Sequence, residues 1–495
     1  MTLSVAKKRR ALDALVLPFW KGEKGAEPAC PVEPFASLLA VPLEAGDFLG
    51  KEGETLLLYR TPGKGEEKRL ILLGLGDKRK ATLETLRRAY AAAIKLCRSR
   101  KSKSVNIFPP EGAQLAASDS VQALLEGVLL ANYAFQELKG VPPTDHPSHP
   151  LEEICLVGGD KRASEAARRI ETLVAAVNFA RDLVNRNADD VTPQALSAAA
   201  RALSKELPAI KTTVLNKQQI EKEQMGLLLA VNRGSDQEPA FIIMEYTGDP
   251  RSKERTALIG KGVTFDTGGL NLKPTGSMET MKSDMAGAAA ILGTMKAAVS
   301  LGVKANLIGV IAATENAIGA ASFKPGDVYR SHDGQTVEIA NTDAEGRLIL
   351  ADALSYVQKH LRPTRLIDLA TLTGAIVVAL GEGASGLFSN DDALASSLSA
   401  AGERTQERVW RFPLYADYQE ELKSSLADLK NCGSRKASSI TAALFLEKFV
   451  KGIPWAHLDI AGTAYLSEPK HYHPTVATGV GVRLLIEFLE QCRSC

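Results

Sequence analysis

The sequence predicts an α/β protein of two domains: a smaller N-terminal α/β domain, and a larger C-terminal one with a mixed central sheet flanked by helices. Three observations lead there. Short apolar runs alternate with amphipathic helical patterns along the chain. At 495 residues the chain exceeds what one hydrophobic core ordinarily organises. Between the halves, Ala163 to Asn185 forms a long helical pattern without glycine or proline.

In the first half, Ala14–Pro18, Thr55–Tyr59, Arg69–Gly74, Val105–Phe108 and Ile154–Val157 are short apolar strand candidates. Leu83–Arg98 and Val121–Leu138 place apolar residues three and four apart, as helices do. Strands alternating with helices argue for a largely parallel sheet. Gly140–Pro150 holds four prolines and reads as a surface connection. The expected division is an N-terminal domain over residues 1–160, a connecting helix over 161–180 and a C-terminal domain over 181–495. In that last part Ala257–Gly260, Leu307–Ala312, Leu366–Leu369 and Trp455–Ile460 are buried-strand candidates. Met285–Val299, Leu348–His360 and Ile440–Val450 are helix candidates. Open α/β sheets bind ligands beyond the carboxyl ends of their strands, so motifs that follow these strands carry the functional interest.

Composition narrows the function classes. Sixty Lys+Arg against 58 Asp+Glu leave a net charge of +2, without the basic excess usual in a nucleic-acid binder, although a local patch stays open. No apolar stretch approaches the roughly 18 residues of a membrane helix. The basic start is followed by an apolar run, Ala14–Trp20, that is too short for a signal peptide and contains Pro18. Six scattered cysteines then read as reduced thiols of a cytoplasmic protein, and the tail pair Cys492 and Cys495 as an isolated C-x-x-C. H-E-x-x-H, G-x-S-x-G and Walker A motifs are absent. Gly381–Gly386 matches G-x-G-x-x-G but leads into LFSNDD rather than a helix, so a glycine-rich turn is the better reading. The KHYH stretch near the end reads as a solvated loop.

Two segments concentrate chemistry: GKGVTFDTGGLNLKPTGSMETMKSDMAGAAA (260–290) and NTDAEGRL (341–348). Lys261 directly follows the expected strand end, Asp266 comes five residues later, and Gly268-Gly269 permit a sharp turn before Lys273. Asp284 precedes a helical run and by itself would be an N-cap. Asp343, Glu345 and Arg347 alternate, so an extended segment would point all three to one side. Converging carboxylates repel unless a proton or cation lies between them, and hard oxygen donors favour Mg, Mn or Zn. A solvated acidic turn capping the next helix is the competing explanation of that octapeptide.

Taken in order, KGVTFDTGG, MKSDMAGAA and NTDAEGRL resemble the defining motifs of the leucyl (cytosol) aminopeptidases, the M17 metallopeptidase family. The likeness extends from RDLVNRNADDVTP (181–193) through ATLTGA (370–375), SITAALFLEKFV (439–450) and WAHLDIAGTA (455–464). It is weaker in the N-terminal domain. The resemblance implies two divalent ions per subunit (Mn or Zn, with Mg in one site as a variant) held by Lys261, Asp266, Asp284, Asp343 and Glu345. It implies Lys273 and Arg347 as catalytic residues that bind no metal. Met281, Asn341, Thr371, Leu372 and Gly374 fall in its substrate and anion pocket. The reaction it implies is removal of the N-terminal residue, preferably leucine or another apolar one, from a peptide. A metal-bridged hydroxide would be the nucleophile, Lys273 would stabilise the oxyanion, and Arg347 would position a bicarbonate that shuttles the proton. It implies a homohexamer as well. Thr267 stands where the family commonly has serine, and the stretch after Lys273 varies. A two-metal phosphoesterase is the enzymatic alternative, but neither phosphate-cradling loops nor paired histidines support it. A DNA-binding accessory role of the same fold is the other.

Overall fold

The computed structural model describes residues 1–61, 67–112, 114–138, 140 and 149–491. Most of the Gly140–Pro150 connection and both tail cysteines lie outside the described residues. The chain forms two compact units, Met1–Ala175 with Glu468–Val476, and Ala176–Ser467 with the remaining C-terminal residues. The helix Lys161–Asn185 begins in the first unit and ends in the second.

The first unit contains a seven-stranded sheet. Thr2–Ala6, Glu153–Val157, Ser104–Ile107, Ala14–Lys21 and Arg69–Gly74 run parallel in that spatial order, Thr55–Tyr59 closes one edge antiparallel, and Ala26–Pro28 pairs with the end of Ala14–Lys21. Ala14–Lys21 is buried along all but its last residue. Such a strand has no wet face, which is why it reads as an unbroken apolar run rather than an alternation. Helix Leu83–Ser99 opens with a reciprocal capping box between Thr82 and Thr85. The second helix runs Ala117–Ala131, shorter than its apolar periodicity. Asn132 takes the C-cap, and its amide exchanges hydrogen bonds with the backbone of Leu151 (2.7 and 3.1 Å).

The second unit is built on an eight-stranded sheet, with a small three-stranded sheet beside it. Four central strands of the larger sheet, Trp455–Asp459, Arg365–Ala370, Thr256–Asp266 and Asn306–Asn316, run parallel and bring their carboxyl ends to one edge. Ala240–Thr247 and Ile210–Leu215 extend one side antiparallel; Ser385–Ser389 and Val409–Arg411 extend the other. The sheet is therefore mixed and flanked by helices, as expected. Two local expectations change. The strand begun at Thr256 continues to Asp266, so Lys261 lies within it rather than after it. The helix expected from Leu348 starts at Glu345, so Glu345 and Arg347 occupy its first turn and the 343–347 segment is not extended. The apolar run before Gly381 is likewise a short helix, Gly374–Leu380, which Gly381 ends at positive φ.

Small residues let the Ala286–Ser300 helix lie almost on the sheet. A Cβ on Gly287 would stand 2.2 Å from the Leu369 carbonyl oxygen and 2.9 Å from the Lys261 nitrogen. One on Gly260 would meet the Gly287 backbone at 2.6 Å. The Glu345–Leu361 helix is tied down by Asp352. This fully buried carboxylate accepts from the backbone N–H groups of Leu227, Leu228 and His332 at 2.8–2.9 Å. Asp352→Ala strands three buried donors, each costing about 1–3 kcal/mol. Chemical denaturation should show a loss of about 3 kcal/mol or more; a loss under about 1 kcal/mol would mean the helix is anchored otherwise.

Candidate metal centre

At the carboxyl edge of the parallel strands lies a cleft of about 1000 Å³. The twelve positions singled out in the sequence all line it: Lys261, Asp266, Lys273, Met281, Asp284, Asn341, Asp343, Glu345, Arg347, Thr371, Leu372 and Gly374. Each arrives by a different local device. Lys261 and Asp266 stand on one strand. Beyond it the chain reverses at Gly268 and Gly269, both at positive φ, where a Gly268 Cβ would crowd the Asn271 carbonyl (2.5 Å) and Asp343 Oδ1 (2.9 Å). Asp284 ends a short 3-10 turn, Met281–Ser283, so it does not cap the following helix. Asp343 sits in the turn before the Glu345 helix, where its N–H donates to Asn341 Oδ1 at 2.7 Å.

Charges interlock in the cleft. The Lys261 ammonium lies 2.8 Å from Asp284 Oδ2 and 2.7 Å from Glu345 Oε1, and donates to the Thr371 carbonyl at 2.9 Å. The Lys273 ammonium lies 2.8 Å from Asp266 Oδ2 and 2.6 Å from Asp343 Oδ1. Lys261, Asp266, Asp284 and Glu345 are all at most 5% exposed. Burial pushes Lys261 towards neutrality, but Asp284, Glu345 and Asp266 outweigh it and hold its pKa above the ordinary value. Burial raises Asp266 to about 6, with Glu345 adding to the rise and the two lysines opposing it. Burial also raises Asp284 well above the carboxylate range, with Lys261 opposing. Glu345 meets the same burial cost, yet Lys261 and Lys273 carry it below its usual pKa.

Four acids face two lysines, two more than the ammonium groups can neutralise, and the cluster answers this excess by holding Asp266, Asp284 and Asp343 above the usual carboxylate pKa. Ligand oxygens of Asp266, Asp343 and Glu345 lie within 4.8 Å of one another. Glu345 Oε2 is buried without a hydrogen-bond partner. Divalent cations fit this donor set of hard oxygens, and they can displace the protons that the excess acids hold.

Some contributors carried no assigned role in the sequence. Asn316, at the end of the neighbouring strand, donates to Asp266 Oδ1 (2.8 Å) and to the Thr342 carbonyl (3.1 Å), fixing one acid-bearing segment against the other. Asn431 binds the backbone of Ala340, Asn341 and Ala344, and its carbonyl accepts from Arg347 Nη1 at 2.9 Å. Asp459 accepts from the N–H groups of Leu372 and Thr373, and from the Thr373 hydroxyl at 2.6 Å. Asn316 and Asp459 had one available signal, since each ends a strand in the parallel row. Asn431 had none.

An α/β frame with buried acids and lysines at its strand ends forms a cleft suited to divalent cations. Comparison with known proteins gives the kind of protein that carries it. Residues 178–486 match the catalytic domain of the cytosol aminopeptidase family, and residues 16–142 match its N-terminal domain. The chain is 55% identical to a probable cytosol aminopeptidase of Protochlamydia amoebophila, over 99% of this chain and 98% of that one. It is 47% identical to a probable cytosol aminopeptidase of Chlamydia felis, over 98% and 97%. Among solved structures, the bottromycin maturation enzyme BotP in complex with Mn superposes with a TM-score of 0.86 at 33% identity, covering 97% of this chain and 99% of that one. The chain belongs to the cytosol aminopeptidase family, M17, and is a metallo-aminopeptidase acting on peptides. Among the described residues no helix is long and apolar enough to cross a membrane.

Gly346 supplies a test of the geometry. A Cβ there would lie 2.6–2.8 Å from Cδ, Cε and Nζ of Lys261. The lysine tip can move, so Gly346→Ala should fold normally while displacing the amine. Isothermal titration with Mn²⁺ should show affinity falling at least tenfold, with an unchanged circular dichroism spectrum. Unchanged affinity would mean that the position of the Lys261 amine is immaterial to the ions.

Proposed function

We propose that the protein removes N-terminal residues, preferably leucine or another apolar one, from peptides, using two divalent ions held by Lys261, Asp266, Asp284, Asp343 and Glu345. The observation that carries this reading is the cluster of four acids bridged by only two lysines in the cleft. Bound there, manganese or zinc, with magnesium in one site as a variant, supplies a water-derived nucleophile at neutral pH and draws electrons from the scissile carbonyl.

The protein's own groups have distinct tasks. Lys261 must be a neutral amine to donate a lone pair, so it gives up its proton as cations take over the charge it now neutralises. Asp266 and Glu345, whose oxygens lie close together, would be shared between the two ions. Asp284 serves one of them, oriented by the Thr371 hydroxyl at 2.7 Å from its Oδ1. Lys273 keeps its charge: although burial opposes it, Asp266, Glu345 and Asp343 hold its pKa above the ordinary lysine value. It is placed to stabilise the developing oxyanion. Arg347 stays a cation despite the downward pull of burial. Its Nε is buried without a hydrogen-bond partner, which suits a small anion such as bicarbonate that takes and returns the proton. Met281, Leu372 and Val378 give the cleft apolar surface for the first side chain of the peptide. Hexamer assembly and a cytoplasmic location follow from the family and complete the proposal.

Leucyl-p-nitroanilide should be cleaved, its N-acetyl form should not, and chelation should abolish cleavage until Mn²⁺ or Zn²⁺ returns. Cleavage of the acetylated compound, or activity after full metal removal, would refute the reading. Asp343→Ala and Glu345→Ala should lose metal together with nearly all activity. Lys273→Ala should lower kcat about 10²–10³-fold with metal content intact. Metal loss in Lys273→Ala would overturn the division of roles.

A further inference from the structure

About 22 Å along the Glu345–Leu361 helix from Glu345, by its rise per residue, His360 occupies the last turn. Its Nε2 lies 3.2 Å from Oε2 of Glu223, the residue that caps the short Lys217–Lys222 helix. His332 comes from the loop between the strands Val328–Arg330 and Thr336–Glu338. One donor atom from each of the three residues lies within 4.8 Å of the other two.

His332 is prepared in the way a metal ligand requires. Its backbone N–H is pinned by Asp352 and its ring Nδ1 lies 2.7 Å from Ser355 Oγ. That hydroxyl donates to the Asp352 carbonyl at 3.2 Å, so it accepts from Nδ1–H. The proton therefore sits on Nδ1, and Nε2 keeps its lone pair. Nε2 is buried, on a residue only 6% exposed, and has no hydrogen-bond partner. Burial, with Lys359 and His360 nearby, lowers the His332 pKa to about 4 and keeps the ring neutral near pH 7. Tyr356 stacks on His360 at 4.4 Å and meets the His332 ring edge-on at 5.6 Å, holding both rings.

From this geometry we infer that Glu223, His332 and His360 form a second metal site, separate from the catalytic cleft, for a borderline divalent ion of the zinc class. Two imidazoles and a carboxylate, with a fourth position left for water, are a donor set that zinc accepts. Ligands at about 2.0–2.2 Å from one ion stand about 3.4 Å apart. The Glu223–His360 pair already meets that spacing at 3.2 Å, and His332, within 4.8 Å of both, has at most about 1.4 Å to close. The ion would clamp the end of the Lys217–Lys222 helix and the 331–335 loop to the C-terminal turn of the helix that carries Glu345.

The test counts ions on the whole protein. Wild type, His360→Ala and Glu223→Gln are loaded with Mn²⁺, equilibrated with a small excess of zinc chloride, and assayed for total metal per chain by mass spectrometry. Wild type should hold one more ion per chain than either variant. Zinc should raise the Tm of wild type alone, and all three should hydrolyse substrate with kcat within twofold. Equal metal content in the three proteins would overturn the proposal. The comparison is of differences, so it stands whether or not the catalytic centre holds two ions.

Discussion

Gathering four acids, three of them buried and Asp343 half-buried, beside two lysines is the constraint on which this structure rests. Taken from water singly, each such ion would cost several kcal/mol even after relaxation, so the cluster persists only because its members pair. Lys261 and Lys273 each bridge two acids, and the lysines and acids come from separate segments between residues 261 and 345. The fold must therefore bring four chain segments into register to within a hydrogen-bond length. Pairing remains incomplete, since two lysines cannot neutralise four acids, and that excess is what suits the cluster to the proposed cations.

The frame meets this demand with backbone close packing. Parallel strands end together at one edge, and side chains just beyond them converge without any long loop. Gly260, Gly287 and Gly346 remove atoms wherever a helix crosses the Lys261 strand or its side chain. Asn316 and Asn431 then fix the backbone of the segment that bears Asp343 and Glu345, and Asp459 fixes the Leu372–Thr373 turn that lines the same cleft. These supports bind no ion themselves, yet they set where the ligands stand.

Much of this was legible in the sequence. Apolar runs and helical periodicity located the two domains and the central strands, and all twelve site residues named from the ordered motifs line the cleft. The edge strands, such as Ile210–Leu215 with its mixed burial, were not seen, because half-exposed strands carry no unbroken apolar run. Convergence of Asp343, Glu345 and Arg347 was anticipated for the wrong reason. It arises from a turn entering a helix, a geometry that two-residue alternation cannot distinguish from a strand. The Asn431 support was invisible, since it is distant in sequence and works through the main chain. The His332 cluster was invisible too: its members are 109 and 28 residues apart and meet only through tertiary packing.

If the excess of acids between Lys261 and Arg347 serves two ions, Asp266 and Glu345 would be shared between them. Electron paramagnetic resonance of the chelated protein titrated with Mn²⁺ tests it most directly. Shared ligands place the ions about 3.5–4 Å apart, so the account predicts an exchange-coupled spectrum that reaches full intensity at two ions per chain and disappears in Glu345→Ala. A spectrum of isolated ions alone at saturation would contradict it.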